Sequence, residues 1–224
     1  MKKAHIGKTK KPDLGMALQA AIAKHQAGNI EGAAQHYRAI LAVAPQQPDA
    51  LHYLGVAQHQ LGHKEEAAQL IQQAVKLVPS YFAAQNNLGN VLKELGRQEE
   101  AETAYRSVLN AQPQFAQAQN NLGVVLASQG RYSEAIEQYR ACLAYSPEFA
   151  ECWHNLGNAC KKIDDIEGAL TAYRHSIALA PYTTSAYLSL AAALASRQRY
   201  NEALEVYRAW QKIEPDSPVV AHMI

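Results

Sequence analysis

The 224-residue chain is 48% hydrophobic and 18% charged, with a formal net charge of +1. That is too apolar and too weakly charged for a disordered polyelectrolyte. No apolar run approaches the ~20 residues of a membrane helix, and the basic start lacks the apolar stretch of a secretory signal. The near-zero charge is uneven: Lys2, Lys3, Lys8, Lys10 and Lys11 fall in the first eleven residues, which hold no acidic residue. Without them 21 − 5 = 16 basic side chains face 20 acidic ones, so the body carries −4 and offers no bulk basic face to a phosphate backbone. Nucleic acid is therefore disfavoured as a partner, and no membrane association is expected. Cys142, Cys152 and Cys160 are odd in number and form no C-x-x-C pair, which predicts reduced, buried thiols in a cytoplasmic protein.

In chain order, residues 1–13 read as a basic flexible leader. After it the sequence repeats. Pro45, Pro79, Pro113, Pro147, Pro181 and Pro215 stand 34 residues apart, and taking each as position 32 of a unit fixes a frame. Position 20 is Ala33, Ala67, Ala101, Ala135, Ala169 and Ala203; position 24 is Tyr37, Ile71, Tyr105, Tyr139, Tyr173 and Tyr207. Position 7 is Leu from Leu54 onward; position 8 is Ala21, Gly55, Gly89, Gly123, Gly157 and Ala191. Position 15 is Gly28, Gly62, Gly96 and Gly130, then Asp164 and Gln198.

This pattern resembles the tetratricopeptide repeat family, whose unit asks for W/L-x-x-L-G, then Gly, Ala, an aromatic and Pro. The resemblance covers residues 14–215 without insertion. It implies an all-α fold, an α-α superhelix (solenoid) of six helical hairpins over 14–47, 48–81, 82–115, 116–149, 150–183 and 184–217. Small residues at positions 8 and 20 let the two helices of a hairpin approach closely. Glycine at 15 suits a left-handed helix end, and proline at 32 stops the second helix. No hairpin buries its apolar stripe alone, so stability comes from stacking. Residues 218–224, with Ser217 as N-cap and Pro218 at the first helical position, read as the start of a capping or seventh-repeat helix. The chain is accordingly expected to be an N-terminal part of a longer protein.

At 100° per residue, first-helix positions 4, 7, 8 and 11 share the packing face, and positions 2, 5, 6, 9, 12 and 13 fall opposite. In the family that opposite face lines the concave groove. Here it carries Asn86, Asn87, Asn90 and Lys93 in the third unit, Asn120 and Asn121 in the fourth, and His154, Asn155, Asn158 and Lys161 in the fifth. Asn87, Asn121 and Asn155 recur at position 6, where asparagine is a mediocre helix former but a bidentate partner for a peptide backbone. The arrangement resembles the asparagine ladder of the O-linked N-acetylglucosamine transferase repeats, and implies an extended peptide held along the groove. All three asparagines are expected to be exposed. The family's carboxylate clamp is disfavoured, because Glu151 stands where it requires a cation.

No catalytic pattern appears. His59 and His63 are four apart but Gly62 divides them, no H-E-x-x-H occurs, and Glu65-Glu66 and Glu99-Glu100 sit where helix starts favour acids. The sequence predicts a non-enzymatic scaffold without metal or cofactor, whose partner is a protein or extended peptide. Two further readings stand beside it. One is a substrate-recruiting or assembly domain at the N-terminus of a larger methyltransferase or glycosyltransferase; the other is homo-oligomerisation through the terminal repeat.

Overall fold

The computed structural model describes residues 13–215, which form twelve α-helices and no strand. Of the leader expected at 1–13 only Asp13 is described, as the N-cap of the first helix; the rest of it and the expected helix at 218–224 lie outside the described residues. The chain divides into two compact units, 1–97 and 98–224. The first holds α1 (Leu14–Gln26), α2 (Ile30–Val43), α3 (Pro48–Gln60), α4 (Lys64–Leu77) and α5 (Phe82–Glu94). The second holds α6 (Gln98–Ala111), α7 (Ala116–Ser128), α8 (Tyr132–Tyr145), α9 (Ala150–Lys162), α10 (Ile166–Leu179), α11 (Thr184–Ser196) and α12 (Tyr200–Ile213). Odd-numbered helices are 13 residues long and even-numbered ones 14.

Within each unit every helix packs on its sequence neighbours, and each odd helix also packs on the next odd helix, α1 on α3 and α7 on α9 for example. That is the connectivity of tandem helical hairpins, and the fold class is the all-α solenoid expected from the repeat.

The helix ends follow from the residues that occupy them. Gly28, Gly62, Gly96 and Gly130 have φ between 76° and 86°. After Gly28 the chain closes a Schellman turn, with the Asn29 amide donating to the Lys24 carbonyl at 3.1 Å. Asp164 and Gln198, which replace the glycine in the fifth and sixth units, keep the same conformation at φ 64° and 59°. The closing hydrogen bonds persist there too, the Asp165 amide donating to the Cys160 carbonyl and the Arg199 amide to the Leu194 carbonyl, each at 3.0 Å. Before the prolines, Ala44, Ser146 and Ala180 sit at φ −135° to −137° and ψ 74° to 76°, out of the helical region from which the proline ring excludes them. The proline carbonyls are used too. They accept from Gln85 Nε2 (Pro79, 2.6 Å), Gln119 Nε2 (Pro113, 2.6 Å) and Trp153 Nε1 (Pro147, 2.7 Å), each from position 4 of the following helix.

Small residues create the close approach inside each hairpin. Five of the six position-20 alanines are fully buried, and Tyr37, Tyr105 and Tyr173 lie at 0% exposure beside them. A Cβ on Gly123 would stand 2.5 Å from Tyr139 Cε1, and one on Gly157 2.6 Å from Tyr173 Cε1, so the aromatic ring occupies the volume glycine vacates. In the first unit Ala21, Ala33, Ala34, Tyr37, Leu54 and Ala57 form one core cluster. In the second, Trp210 stacks on Tyr187 with ring centroids 5.6 Å apart. The three cysteines are buried free thiols, as expected.

Candidate functional site

The first-helix face is more crowded than its helical phase suggests. Position 5 is buried in the second, third and fourth repeats, with His52, Asn86 and Asn120 at 4%, 3% and 1% exposure, and half-buried at His154 in the fifth. At position 6 Asn121 is buried at 9%, while Asn87 and Asn155 are half-buried. Their expected exposure is therefore not met. Within each compact unit the odd helices pack on one another, and there His52 and Asn87, Asn120 and Asn155, and His154 and Ser189 fall in the seam rather than on the open surface.

The seam has a regular chemistry. Asn87 Nδ2 lies 2.9 Å from His52 Nε2, Asn155 Nδ2 donates to Asn120 Oδ1 at 3.1 Å, and His154 Nε2 lies 3.1 Å from Ser189 Oγ, each pair separated by 35 residues. In these three pairs position 5 of one repeat meets position 6 of the next. The same step joins positions 12 and 13: His25 Nε2 to Gln60 Oε1 at 2.8 Å, and His59 Nε2 to Glu94 Oε2 at 3.0 Å.

The most enclosed histidine of the seam is His52. Tyr81 donates its hydroxyl proton to Asp49 Oδ1 at 3.0 Å, so its oxygen accepts from His52 Nδ1 at 2.9 Å. That fixes the proton on Nδ1 and leaves Nε2 to accept from Asn87. Burial pushes the His52 pKa down to about 4 against the opposing pull of Asp49. Tyr53 and Tyr81 pack their rings on the imidazole at centroid distances of 5.1 and 4.8 Å. The group is a neutral structural histidine, and burial lowers the His154 pKa in the same sense.

Of the other predicted residues, Asn90 and Lys93 are half-buried on α5, whereas Asn158 and Lys161 are exposed on α9. Asn158 Oδ1 accepts the Tyr173 hydroxyl at 2.8 Å. The second unit does present a pocket on this face, a cavity of about 300 Å³. Val124, Ala127 and Ser128 of α7 and Tyr132 and Tyr139 of α8 line one side; Asn155, Asn158, Ala159 and Lys162 of α9 line the other. Asn155 and Asn158 are thus brought together around one concavity. Tyr132 and Tyr139, which enlarge and floor it, escape a reading confined to first helices. The signal for Tyr132 is an aromatic at position 17, shared only with Tyr200, whereas Tyr139 is the recurrent aromatic of position 24.

Among the described residues no group of three or more His, Cys, Asp or Glu side chains could hold a metal ion. Nor is any described helix long and apolar enough to cross a membrane.

These features define a helical-hairpin repeat protein with a ligand-sized recess on its first-helix face. The chain belongs to the tetratricopeptide repeat family, whose model matches residues 18–82, 86–151 and 154–218. No curated protein sequence matches it. Among solved structures it is similar to PilW, a widely conserved type IV pilus biogenesis factor, with TM-score 0.83, 18% identity, and 95% of this chain and 98% of that one covered. It is also similar to Pseudomonas aeruginosa PilF, with TM-score 0.79, 19% identity, and 91% and 93% covered. A third, YrrB, is described as a TPR protein with an unusual peptide-binding site, and matches with TM-score 0.65, 21% identity, and 79% and 91% covered. At these identities the likeness concerns the fold.

Proposed function

We propose that the chain is a non-catalytic interaction scaffold that holds an extended segment of a partner protein against its first-helix face. The observation that carries this reading is the pocket between α7 and α9, which joins an apolar floor to a rim of incompletely used amides. Asn155 spends one N–H on Asn120 and keeps its carbonyl and second N–H; Asn158 spends its carbonyl on Tyr173 and keeps both N–H groups. Such groups suit a peptide backbone, which needs donors and acceptors together. The peptide-binding site in the description of YrrB supports the same use of the fold. On this reading the asparagines at position 6 serve first to join neighbouring units, and the contact surface moves outward to positions 9 and 13.

Affinity capture with mass spectrometry tests it, comparing the unaltered chain with Val124→Trp, which fills the pocket, and with a substitution of the exposed α8 residue Glu137 as control. A partner retained by the unaltered chain and the control but lost on Val124→Trp is the expected result. Equal capture by all three refutes the assignment of the face.

A further inference from the structure

The pocket between α7 and α9 is unbalanced in its hydrogen-bonding capacity, and that imbalance specifies a ligand. Its floor is apolar: Tyr139 and Ala159 are each 2% exposed, with Val124 and Ala127 beside them. Its volume, about 300 Å³, lies at the lower end of the range for ligand sites, and suits one large side chain rather than a folded surface. The rim is rich in donors. Asn158 has given its carbonyl to Tyr173 and retains two N–H groups. Asn155 retains one N–H, and Lys162 adds three. Against these stand the Asn155 carbonyl and the hydroxyl oxygens of Tyr132, Tyr139 and Ser128, the Ser128 proton lying toward the Val125 carbonyl at 2.6 Å with Gln98 Oε1 at 3.1 Å. Lys161 and Lys162 are exposed and form no ion pair among the described residues, whereas Arg131, Arg174 and Arg199 in the same unit all do. Part of their placement follows from the last turn of α9, where a cation favours the helix dipole. The dipole does not account for the second feature, an amide at Asn158 whose acceptor is consumed and whose donors are spare beside Lys162.

Resting on the proposed scaffold reading, we infer that this pocket selects a partner segment with an aliphatic or aromatic residue flanked by an Asp or Glu. The apolar side chain fills the recess over Tyr139, and the neighbouring side-chain carboxylate accepts from Lys162 Nζ and the Asn158 amide. Such a pair is charge-assisted and stronger than a neutral one. It differs from recognition of a chain terminus, since only a side-chain carboxylate is required.

Selection of displayed 12-residue peptides on the full chain, followed by binding of the selected sequences as C-terminally amidated peptides, tests the inference. The enriched sequences are expected to pair a large apolar residue with an acidic one. Lys162→Glu is expected to weaken them at least tenfold, and a peptide with Lys in place of its acid is expected to bind that variant more tightly than the unaltered chain. This charge exchange excludes simple misfolding. Peptides that bind Lys162→Glu unchanged but are lost on Val124→Trp overturn the acidic preference and leave the pocket assignment standing. Peptides indifferent to both variants, or no enrichment at all, overturn both.

Discussion

Acidification should weaken the first unit through a single imidazole. His52 is 4% exposed, its Nδ1–H is committed to Tyr81, and its Nε2 accepts from Asn87, so the native state has no place for a second proton. Its pKa falls from the ordinary 6.5 to about 4 on burial. Because the folded value is depressed, the stabilisation is fully present above pH 6.5 and is lost as the pH falls toward 4. Each tenfold difference in proton affinity between the folded and unfolded chain corresponds to about 1.4 kcal/mol, so roughly 2 kcal/mol should be lost at pH 5 and about 3 by pH 4. In the same unit Lys64, with His59, holds the Glu94 carboxylate below its ordinary value, against the opposing effect of burial, so that carboxylate moves away from the histidine window. Two measurements test it: an NMR titration of the His52 ring, and urea unfolding at pH 7.5 and 5 for the native chain and His52→Gln. The ring should remain neutral at pH 5, and the variant should start less stable but lose less on acidification. A ring that titrates near 6.5, or parallel stability losses in the two chains, would refute the buried-neutral account.

Four other substitutions probe the repeats themselves. Gly123→Ala puts a methyl against Tyr139 and should cost about 1–3 kcal/mol in urea unfolding, relieved when combined with Tyr139→Leu. Gln198→Gly removes a side chain from a left-handed turn at φ 59° and should stabilise by about 1 kcal/mol, whereas Gly130→Ala at φ 78° should destabilise by a similar amount. Arg131 bridges the half-buried Glu102 at 2.9 Å and the exposed Glu134 at 2.6 Å. Its replacement by Ala should therefore change urea unfolding little, and a difference that persists at 1 M salt would contradict a screened surface network.

Fold class was legible because its causes are local and repeated. Proline at 32, a left-handed residue at 15 and small residues at 8 and 20 each act within one hairpin, and six copies average out exceptions such as Asp164 and Gln198. The site was harder to read because helical phase describes one cylinder, and burial on this face is decided by the next cylinder. Asn86 and Asn120 share their phase with groove residues, yet they are buried. Asn158, one turn further along, is exposed. Tyr139 carried a second obstacle: it reads as the packing aromatic of its own hairpin and simultaneously floors a recess facing α9. A single residue with two neighbours in different repeats leaves no separate mark in the repeat pattern.

The step of 35 residues in the seam, one longer than the 34-residue period, gives each repeat a direction. A repeat addresses its successor through position 5 and its predecessor through position 6, and these are different residues. His52 meets Asn87, Asn120 meets Asn155, and His154 meets Ser189, while Leu18 and Tyr53 flank the first unit's apolar cluster. The junction, rather than the repeat, is therefore what must be kept intact when such an array is cut or recombined. Duplicating a hairpin would preserve its internal core and still mismatch its borders. Sequence order is written into the stack as a series of paired words, each legible only to the neighbour it was made for.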